Sequence, residues 1–134
     1  MPGSFIDSNV LLDLASADTW KATRAEQVVA AGGTISVQVL NEVANVARRK
    51  MGMSWDELHE FLATLRALLQ VVPVSLETHD TGLALAERYG FPLYDAMIVA
   101  SAVLSGSAVL WSEDMQHGLA IEGGPRIANP FRSE

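Results

Sequence analysis

The chain has 134 residues, 49% of them hydrophobic, a net charge of −7 and no cysteine, so we expect one folded domain over residues 1–134. The lack of cysteine excludes disulfides, thiolate metal sites and thiol catalysis, and the acidic balance argues against nucleic-acid binding by overall charge. Because there is no signal-like segment and no apolar run near the ~18 residues of a membrane span, we expect a cytoplasmic protein that does not contact membranes.

Short apolar runs alternate with amphipathic stretches along the chain. Phe5 and Ile6 predict a buried strand that passes through Asp7 into a short helix capped by Ser8 or Asn9. The elements predicted after it are a helix over 20–31, a strand over 34–37, a helix over 38–50, a helix over 55–69, a strand over 71–74, a helix over 76–89, a buried helix over 94–104, a strand over 108–111 and a weak strand near Ile127. This alternation predicts an α/β fold with a mostly parallel sheet covered on both faces.

Local signals mark two of the element boundaries. Ser54 and Glu57 match a capping box at the start of the helix over 55–69. Pro73 cannot donate a ladder hydrogen bond, so the strand over 71–74 is predicted at an edge or to end there. Trp55 is predicted as a core or subunit-contact residue rather than a base-stacking platform.

Carboxylates occur at comparable positions after the predicted strands. Asp7 and Asp114 directly follow apolar strands, and Asp95 lies in the first turn of the buried helix. Glu42 lies on a polar stripe of the helix over 38–50. Taken singly, each acid could be an ordinary helix cap or a solvent-facing side chain.

Taken together, the four acids indicate a cation-binding site rather than four unrelated side chains. The ends of neighbouring strands in a parallel sheet converge on one rim. Two carboxylates about 4 Å apart repel by ~4 kcal/mol at an effective dielectric constant near 20. Four converging acids therefore predict hard divalent cations with oxygen ligands, Mg²⁺ or Mn²⁺.

Four segments that contain the acids form recognisable motifs, namely 5–9, 35–43, 94–102 and 110–115. These segments resemble the motifs of the PIN domain family, and the resemblance is closest to the VapC toxins of bacterial toxin–antitoxin pairs. Residues 127–131 resemble the usual VapC tail. The resemblance spans the chain in the right order. It implies a three-layer sandwich on a parallel five-stranded sheet, with acids at the strand ends that bind Mg²⁺ or Mn²⁺ and support hydrolysis of RNA phosphodiester bonds.

The resemblance also implies a role for individual residues. It assigns catalysis and metal binding to Asp7, Glu42, Asp95 and Asp114. It gives Asn9 and Ser112 supporting polar positions, and it makes Glu113 the less favoured ligand. The partners that it implies are an RNA substrate, a second copy of the chain in a homodimer, and a small antitoxin protein that blocks the site.

One dense basic cluster is present, formed by Arg48, Arg49 and Lys50 at the end of the helix over 38–50. Helix C-termini favour cations, so one interpretation is a solvated cap. The other is a contact with the RNA backbone that leads the substrate toward the acids.

Phosphotransfer, phosphate-loop and non-toxin PIN proteins are the alternatives to a toxin nuclease. Phosphotransfer proteins of the receiver and haloacid-dehalogenase types also cluster acids at strand ends, but both use a late lysine, and Lys21 and Lys50 are the only lysines. The phosphatase motif also requires an Asp at the position of Asn9, and no phosphate-binding P-loop motif is present. A non-catalytic PIN-like interaction module and a PIN nuclease that processes RNA without an antitoxin both remain as alternatives.

Overall fold

The computed structural model describes residues 3–132 and contains a five-stranded parallel sheet flanked by six helices. The strands are β1 (Ser4–Ile6), β2 (Thr34–Ser36), β3 (Gln70–Val72), β4 (Val109–Trp111) and β5 (Arg126–Ala128). The helices are α1 (Ser8–Leu12), α2 (Thr19–Ala30), α3 (Val37–Arg49), α4 (Trp55–Leu68), α5 (Leu76–Tyr89) and α6 (Leu93–Leu104), with a 3₁₀ turn at Asp13–Ala15. The predicted α/β sandwich on a parallel five-stranded sheet is confirmed.

The order of the strands in the sheet is β3-β2-β1-β4-β5, which places β1 at the centre. β1 pairs with β2 through Phe5 and Thr34, and with β4 through Ile6 and Trp111. β2 and β3 lie successively on one side of β1, whereas β4 and β5 lie successively on the other side. The strand order therefore reverses direction between β1 and β4. Ligands of open α/β sheets bind beyond the carboxyl ends of the strands at such a reversal.

The strands are only three residues long, and their stability comes from burial on both faces of the sheet. The strands β1, β2, β4 and β5 each contribute a completely buried side chain, namely Phe5, Ile35, Leu110 and Ile127. Complete burial of a side chain of this size contributes roughly 1.5–3 kcal/mol. The sheet is therefore a rigid base for the residues that follow its strands.

Several element boundaries follow the predicted local signals. The capping box is present, with Glu57 N donating to Ser54 Oγ at 3.1 Å and Ser54 N donating to Glu57 Oε1 at 2.8 Å. β3 ends at Val72, directly before Pro73, as the missing N–H requires. Gly90 ends α5 in the left-handed conformation, with φ of 78°.

Two alternatives in the sequence are decided by the structure. The N-cap of α1 is Asp7, as its interpretation as a helix cap predicted, and not Ser8 or Asn9, because Asp7 adopts the extended conformation and accepts from the N–H of Ser8. Of the two roles predicted for Trp55, core or subunit contact, the core role is wrong, since 61% of the residue is exposed. It is the first residue of α4, where the guanidinium of Arg48 covers its ring instead of the core.

Pro130 and Phe131 lie against α2. Arg24 Nε donates to the Pro130 carbonyl at 2.7 Å, and Phe131 contacts both the ring of Trp20 and the ammonium group of Lys21. Within residues 3–132, no helix has the length and hydropathy needed to cross a bilayer.

Candidate active site

Asp7 links the central strand to the helix after it. Its backbone N–H donates to the Trp111 carbonyl at 2.9 Å, which extends the pairing of β1 with β4 by one residue. Its side chain is 3% exposed. Oδ1 accepts from Ser8 N at 2.7 Å, and Oδ2 accepts from Ser112 Oγ at 2.8 Å. Asp7 is therefore both a helix cap and a buried carboxylate fixed in one orientation.

Asn9 and Ser112 connect the acids that follow β1 and β4. Asn9 Nδ2 donates to Oδ2 of Asp7 and to Oδ2 of Asp114, both at 3.1 Å. Asn9 Oδ1 accepts from the backbone N–H of Glu113 at 3.2 Å. Ser112 Oγ donates to Asp7 and accepts from the backbone N–H of Asp114 at 3.3 Å. The two residues expected to support the acids thus contact them directly.

Glu42 is held on both of its carboxylate oxygens. Ser8 Oγ donates to Oε1 at 2.8 Å, and Gln38 Nε2 donates to Oε2 at 3.0 Å. Ser36 caps α3 directly after β2 and so sets the position of Glu42, one and a half turns later. Ser8 and Gln38 are site residues that the sequence analysis did not identify. The i to i+4 spacing of Gln38 and Glu42 was the available signal.

Asp95 lies in the first turn of α6, which Pro92 begins without a side-chain cap. The carboxyl is partly buried, and burial raises its pKa, with the negative charges of Glu42 and Asp114 adding to the effect. Among residues 3–132, no protein group donates a hydrogen bond to Asp95. Its oxygens are therefore available to an external ligand.

The structure brings the four predicted acids into electrostatic contact. Burial raises the pKa of Asp7 to about 6, although hydrogen bonds from Ser112 and Ser8 lower it, and the charges of Glu42 and Asp95 raise it further. In the described part of the chain, the ion pairs are Lys21–Glu113 and Arg88–Glu122, so no Lys or Arg pairs with any of the four acids. This concentration of negative charge favours a bound cation.

The donors fit a hard divalent cation in chemistry, since all four side chains offer carboxylate oxygens. Over residues 3–132, however, no three His, Cys, Asp or Glu side chains are arranged as a formed metal site. The carboxylates are instead engaged by protein donors. Asp7 and Asp114 share the Asn9 amide, and Glu42 accepts from Ser8 and Gln38.

A model of the PIN domain matches residues 4–119. This range includes all four acids and both of the residues that hold Asp7 and Asp114 together. The chain belongs to the PIN domain family. PIN domains are typically nucleases.

Solved structures have the same fold as this PIN domain. A toxin–antitoxin complex from Klebsiella pneumoniae matches with a TM-score of 0.75 and 22% identity over 98% of this chain and 100% of the other. VapC20 of Mycobacterium tuberculosis, a toxin that cleaves the sarcin–ricin loop, matches with a TM-score of 0.63 and 17% identity over 81% and 87%. VapBC2 of Rickettsia felis, bound to a DNA fragment from its promoter, matches with a TM-score of 0.61 and 16% identity over 83% and 87%. Curated protein sequences gave no match.

Beside the four acids, this PIN domain has a second acidic pair that the sequence analysis did not identify. Glu113 Oε2 accepts from Lys21 Nζ at 3.0 Å. Burial raises the pKa of Asp13 to about 7, and the contact with Glu113 adds to that rise. Burial also acts on Glu113, but hydrogen bonds from Asp13 and Lys21 lower its pKa on balance. Glu113 is thus engaged with Lys21 and Asp13.

The three residues of the basic cluster differ in their surroundings: Arg48 is bound within the protein, whereas Arg49 and Lys50 face solvent. Arg48 Nη1 donates to the Met53 carbonyl at 2.7 Å, and its guanidinium lies 4.2 Å from the centre of the Trp55 ring. Arg48 therefore holds the connection between α3 and α4. Arg49 and Lys50 are exposed. Arg49 lies two turns after Glu42 on the same face of α3, about 10.5 Å along the helix axis.

Proposed function

We propose that this PIN domain is a divalent-metal-dependent endoribonuclease that hydrolyses RNA phosphodiester bonds, and that it is the toxin of a type II toxin–antitoxin pair. The observation that carries the proposal is the group formed by Asp7, Glu42, Asp95 and Asp114 at the point where the sheet reverses its winding. These acids have no Lys or Arg partner in the described residues, and such a group attracts Mg²⁺ or Mn²⁺.

In this proposal, Asp7, Asp95 and Asp114 hold the metal, and Glu42 completes the site or orients the attacking water. A bound Mg²⁺ or Mn²⁺ would lower the pKa of a water and stabilise charge on the phosphate oxygens. In the described residues Asp95 accepts no hydrogen bond, and of the two Asp114 carboxylate oxygens Asn9 donates only to Oδ2. Both oxygens of Asp7 already accept hydrogen bonds, so Asp7 would bind the ion through its remaining lone pairs.

The side chains around the acids supply orientation. Ser112 is completely buried and directs the Asp7 carboxylate through a 2.8 Å hydrogen bond. Ser8 and Gln38 fix the plane of the Glu42 carboxylate. Hydrogen bonds of this kind keep the carboxylates in position, and their removal commonly lowers metal affinity or activity by about 10–100-fold.

The proposed biological role and partners have separate support. The structures with the same fold include a toxin–antitoxin complex and an RNA-cleaving toxin. Leu76 and Leu83 are seven residues apart on one face of α5 and are exposed by 76% and 53%, and we propose that this apolar face contributes to a homodimer contact. An antitoxin protein is the proposed inhibitor, and the cytoplasm is the proposed location.

The test is cleavage of end-labelled single-stranded RNA, and of DNA of the same sequence, by the purified protein free of antitoxin. The reaction is run with Mn²⁺ or Mg²⁺, with chelator, and with the variant Asp95→Asn. We expect cleavage of RNA that requires the metal and is abolished in Asp95→Asn. Asp80→Asn is the matched control, because Asp80 is an exposed acid on α5. Undiminished cleavage by Asp95→Asn, or cleavage that chelator does not reduce, would contradict the proposal.

A further inference from the structure

A recess of about 390 Å³ lies at the junction of α3 and α4, away from the acids themselves. The residues that line it are Ala44, Asn45, Arg48, Arg49, Trp55 and Leu58. This volume is within the ~300–1,000 Å³ that is usual for small-ligand sites. The recess therefore has room for a planar aromatic ligand.

The aromatic wall of the recess is exposed and held in place. Trp55 is 61% exposed. The Arg48 guanidinium lies 4.2 Å from the centre of its ring, and Arg48 is in turn anchored to the Met53 carbonyl at 2.7 Å. A cation–π contact of this kind orients the indole. Oriented, solvent-exposed aromatic rings are the surfaces on which proteins stack unpaired bases of single-stranded nucleic acids.

The polar rim of the recess has the opposite charge to the chain as a whole. The protein carries a net charge of −7, yet Arg48 and Arg49 line the recess. Lys50 follows them in the chain, and Arg49 and Lys50 are exposed. Asn45, which is also exposed, adds an amide that can donate to and accept from a base edge. An aromatic face, a side-chain amide and cations for the backbone are the combination that recognises single-stranded RNA.

Two residues that line the recess, Asn45 and Arg49, lie on the same face of α3 as Glu42. Gln38, Glu42, Asn45 and Arg49 follow one another at spacings of four, three and four residues, so they form one stripe on the helix. The distance from Glu42 to Arg49 along the axis is about 10.5 Å. A strand whose phosphate lies at the acids can therefore reach the recess with a nearby nucleotide. This shared face favours RNA over a protein segment as the occupant.

We propose that the recess binds one unpaired base of the RNA substrate. The base stacks on Trp55, Asn45 contacts its edge, and Arg49 and Lys50 contact the neighbouring phosphates. This inference rests on the proposed ribonuclease function and adds a requirement to it. The RNA must be single-stranded beside the bond that is cleaved, because a paired base cannot enter the recess.

The test measures RNA binding separately from cleavage, in chelator, by fluorescence anisotropy of labelled oligonucleotides. The two probes are a single-stranded oligouridine and an oligonucleotide of the same length without bases. We expect Trp55→Ala to weaken oligouridine binding about tenfold, which is ~1.4 kcal/mol, and Trp55→Phe to weaken it much less. Trp20→Ala is the matched control, because Trp20 is similarly exposed, at 53%, but lies on α2 against Phe131.

The probe without bases shows whether a variant loses affinity through its contact with the base or through its contacts with the phosphates. It should bind the wild-type protein more weakly than oligouridine does, and Trp55→Ala should not weaken it further, whereas Arg49→Ala should weaken both probes. Unchanged oligouridine binding in Trp55→Ala would overturn the proposal and leave the recess as a protein-docking surface. An equal loss for both probes, or no binding of either probe to the wild-type protein, would also overturn it.

Kinetic measurements distinguish failure of the base-binding proposal from failure of the ribonuclease proposal. If the protein cleaves RNA, Trp55→Ala should raise KM about tenfold with little change in kcat. Cleavage with an unchanged KM would remove the base site and leave the nuclease. Binding that depends on Trp55, with no cleavage of any RNA, would remove the nuclease and leave the base site.

Discussion

Asn9 and Asp114 are 105 positions apart in the chain and are joined by a hydrogen bond of 3.1 Å from the Asn9 amide to Asp114 Oδ2. The same amide nitrogen donates to Asp7 Oδ2, also at 3.1 Å. One side chain thus reduces the repulsion between two carboxylates that follow neighbouring strands. It also sets the space between them.

Removal of this bridge should impair the site more than the fold. In Asn9→Ala, the carboxylates of Asp7 and Asp114 lose their shared donor, so we expect Mn²⁺ affinity and RNA cleavage to fall by roughly 10–100-fold. Calorimetric titration with Mn²⁺ and single-turnover cleavage would measure the two effects. Asn41→Ala is the control, because Asn41 is exposed on α3 next to Glu42 in sequence. Normal metal affinity in Asn9→Ala would show that the bridge does not shape the site.

Gln38 should control the orientation of Glu42. In Gln38→Ala, Oε2 of Glu42 loses its 3.0 Å donor. We expect cleavage to fall about tenfold, which is usual when a hydrogen bond that orients a metal ligand is removed. Gln38→Glu should lose more, because two carboxylates four residues apart on a helix repel. Gln27→Ala, on the exposed face of α2, is the control. Equal activity of Gln38→Ala and Gln38→Glu would exclude this role for the amide.

The stability of the metal-free protein should decrease as pH rises from 4 to 7. The pKa of Asp7 is about 6 in the folded protein and 3.8 in the reference state. The folded form therefore favours the protonated acid, so its contribution to stability is complete below pH 4 and is lost as pH rises through 6. The loss for Asp7 is about 3 kcal/mol above pH 7, and the raised pKa values of Asp95 and Asp13 act in the same direction.

This pH dependence can be measured by thermal melting in chelator and in Mn²⁺. We expect the melting temperature in chelator to be lower at pH 8 than at pH 5. Mn²⁺ should raise it at pH 8 and have little effect at pH 5, where Asp7 is mostly protonated. Asp7→Asn should remove much of the dependence. An equal effect of Mn²⁺ at both pH values would argue against binding at Asp7.

Gly33 should be intolerant of a side chain. A Cβ at this position would lie 2.9 Å from the Ser4 carbonyl oxygen and 3.3 Å from Ile6 Cδ1. The first atom belongs to the backbone of the central strand and cannot move aside without disturbing β1. We expect Gly33→Ala to reduce the free energy of unfolding by about 1–3 kcal/mol, as measured in urea. Gly3→Ala, which meets no atom within 4 Å, should have no comparable effect.

The sequence predicted the fold well because its signals are local. Short apolar runs identify buried strands, the capping box at Ser54 and the glycine at Gly90 identify helix ends, and their alternation specifies a parallel sheet. The meeting of Asp7 and Asp114 could also be predicted, since both follow strands whose ends converge. The choice of N-cap for α1 could not be predicted, because Asp7, Ser8 and Asn9 are all residue types that favour this position. Only the backbone conformation, which is extended at Asp7, decides among them.

The contacts that orient the acids depend on how the helices pack. Ser8 and Glu42 are 34 positions apart, and their 2.8 Å hydrogen bond requires a particular angle between α1 and α3. The contact between Arg48 and Trp55 depends in the same way on the loop between α3 and α4. Neither angle has a signature in the residue pattern. The residue pattern favoured a core or subunit-contact role for Trp55 and gave no indication that Arg48 covers its ring.

The central strand carries Asp7, but its neighbour β4 and the residues Ser112 and Asp114 come from the last quarter of the chain. During synthesis on the ribosome, a nascent chain that has passed β3 already contains Asp7, Glu42 and much of the core. It lacks the strand that completes the sheet at its centre and the acid that Asn9 bridges. The order in which the chain is made therefore leaves the group of acids incomplete until nearly the whole chain has been synthesised.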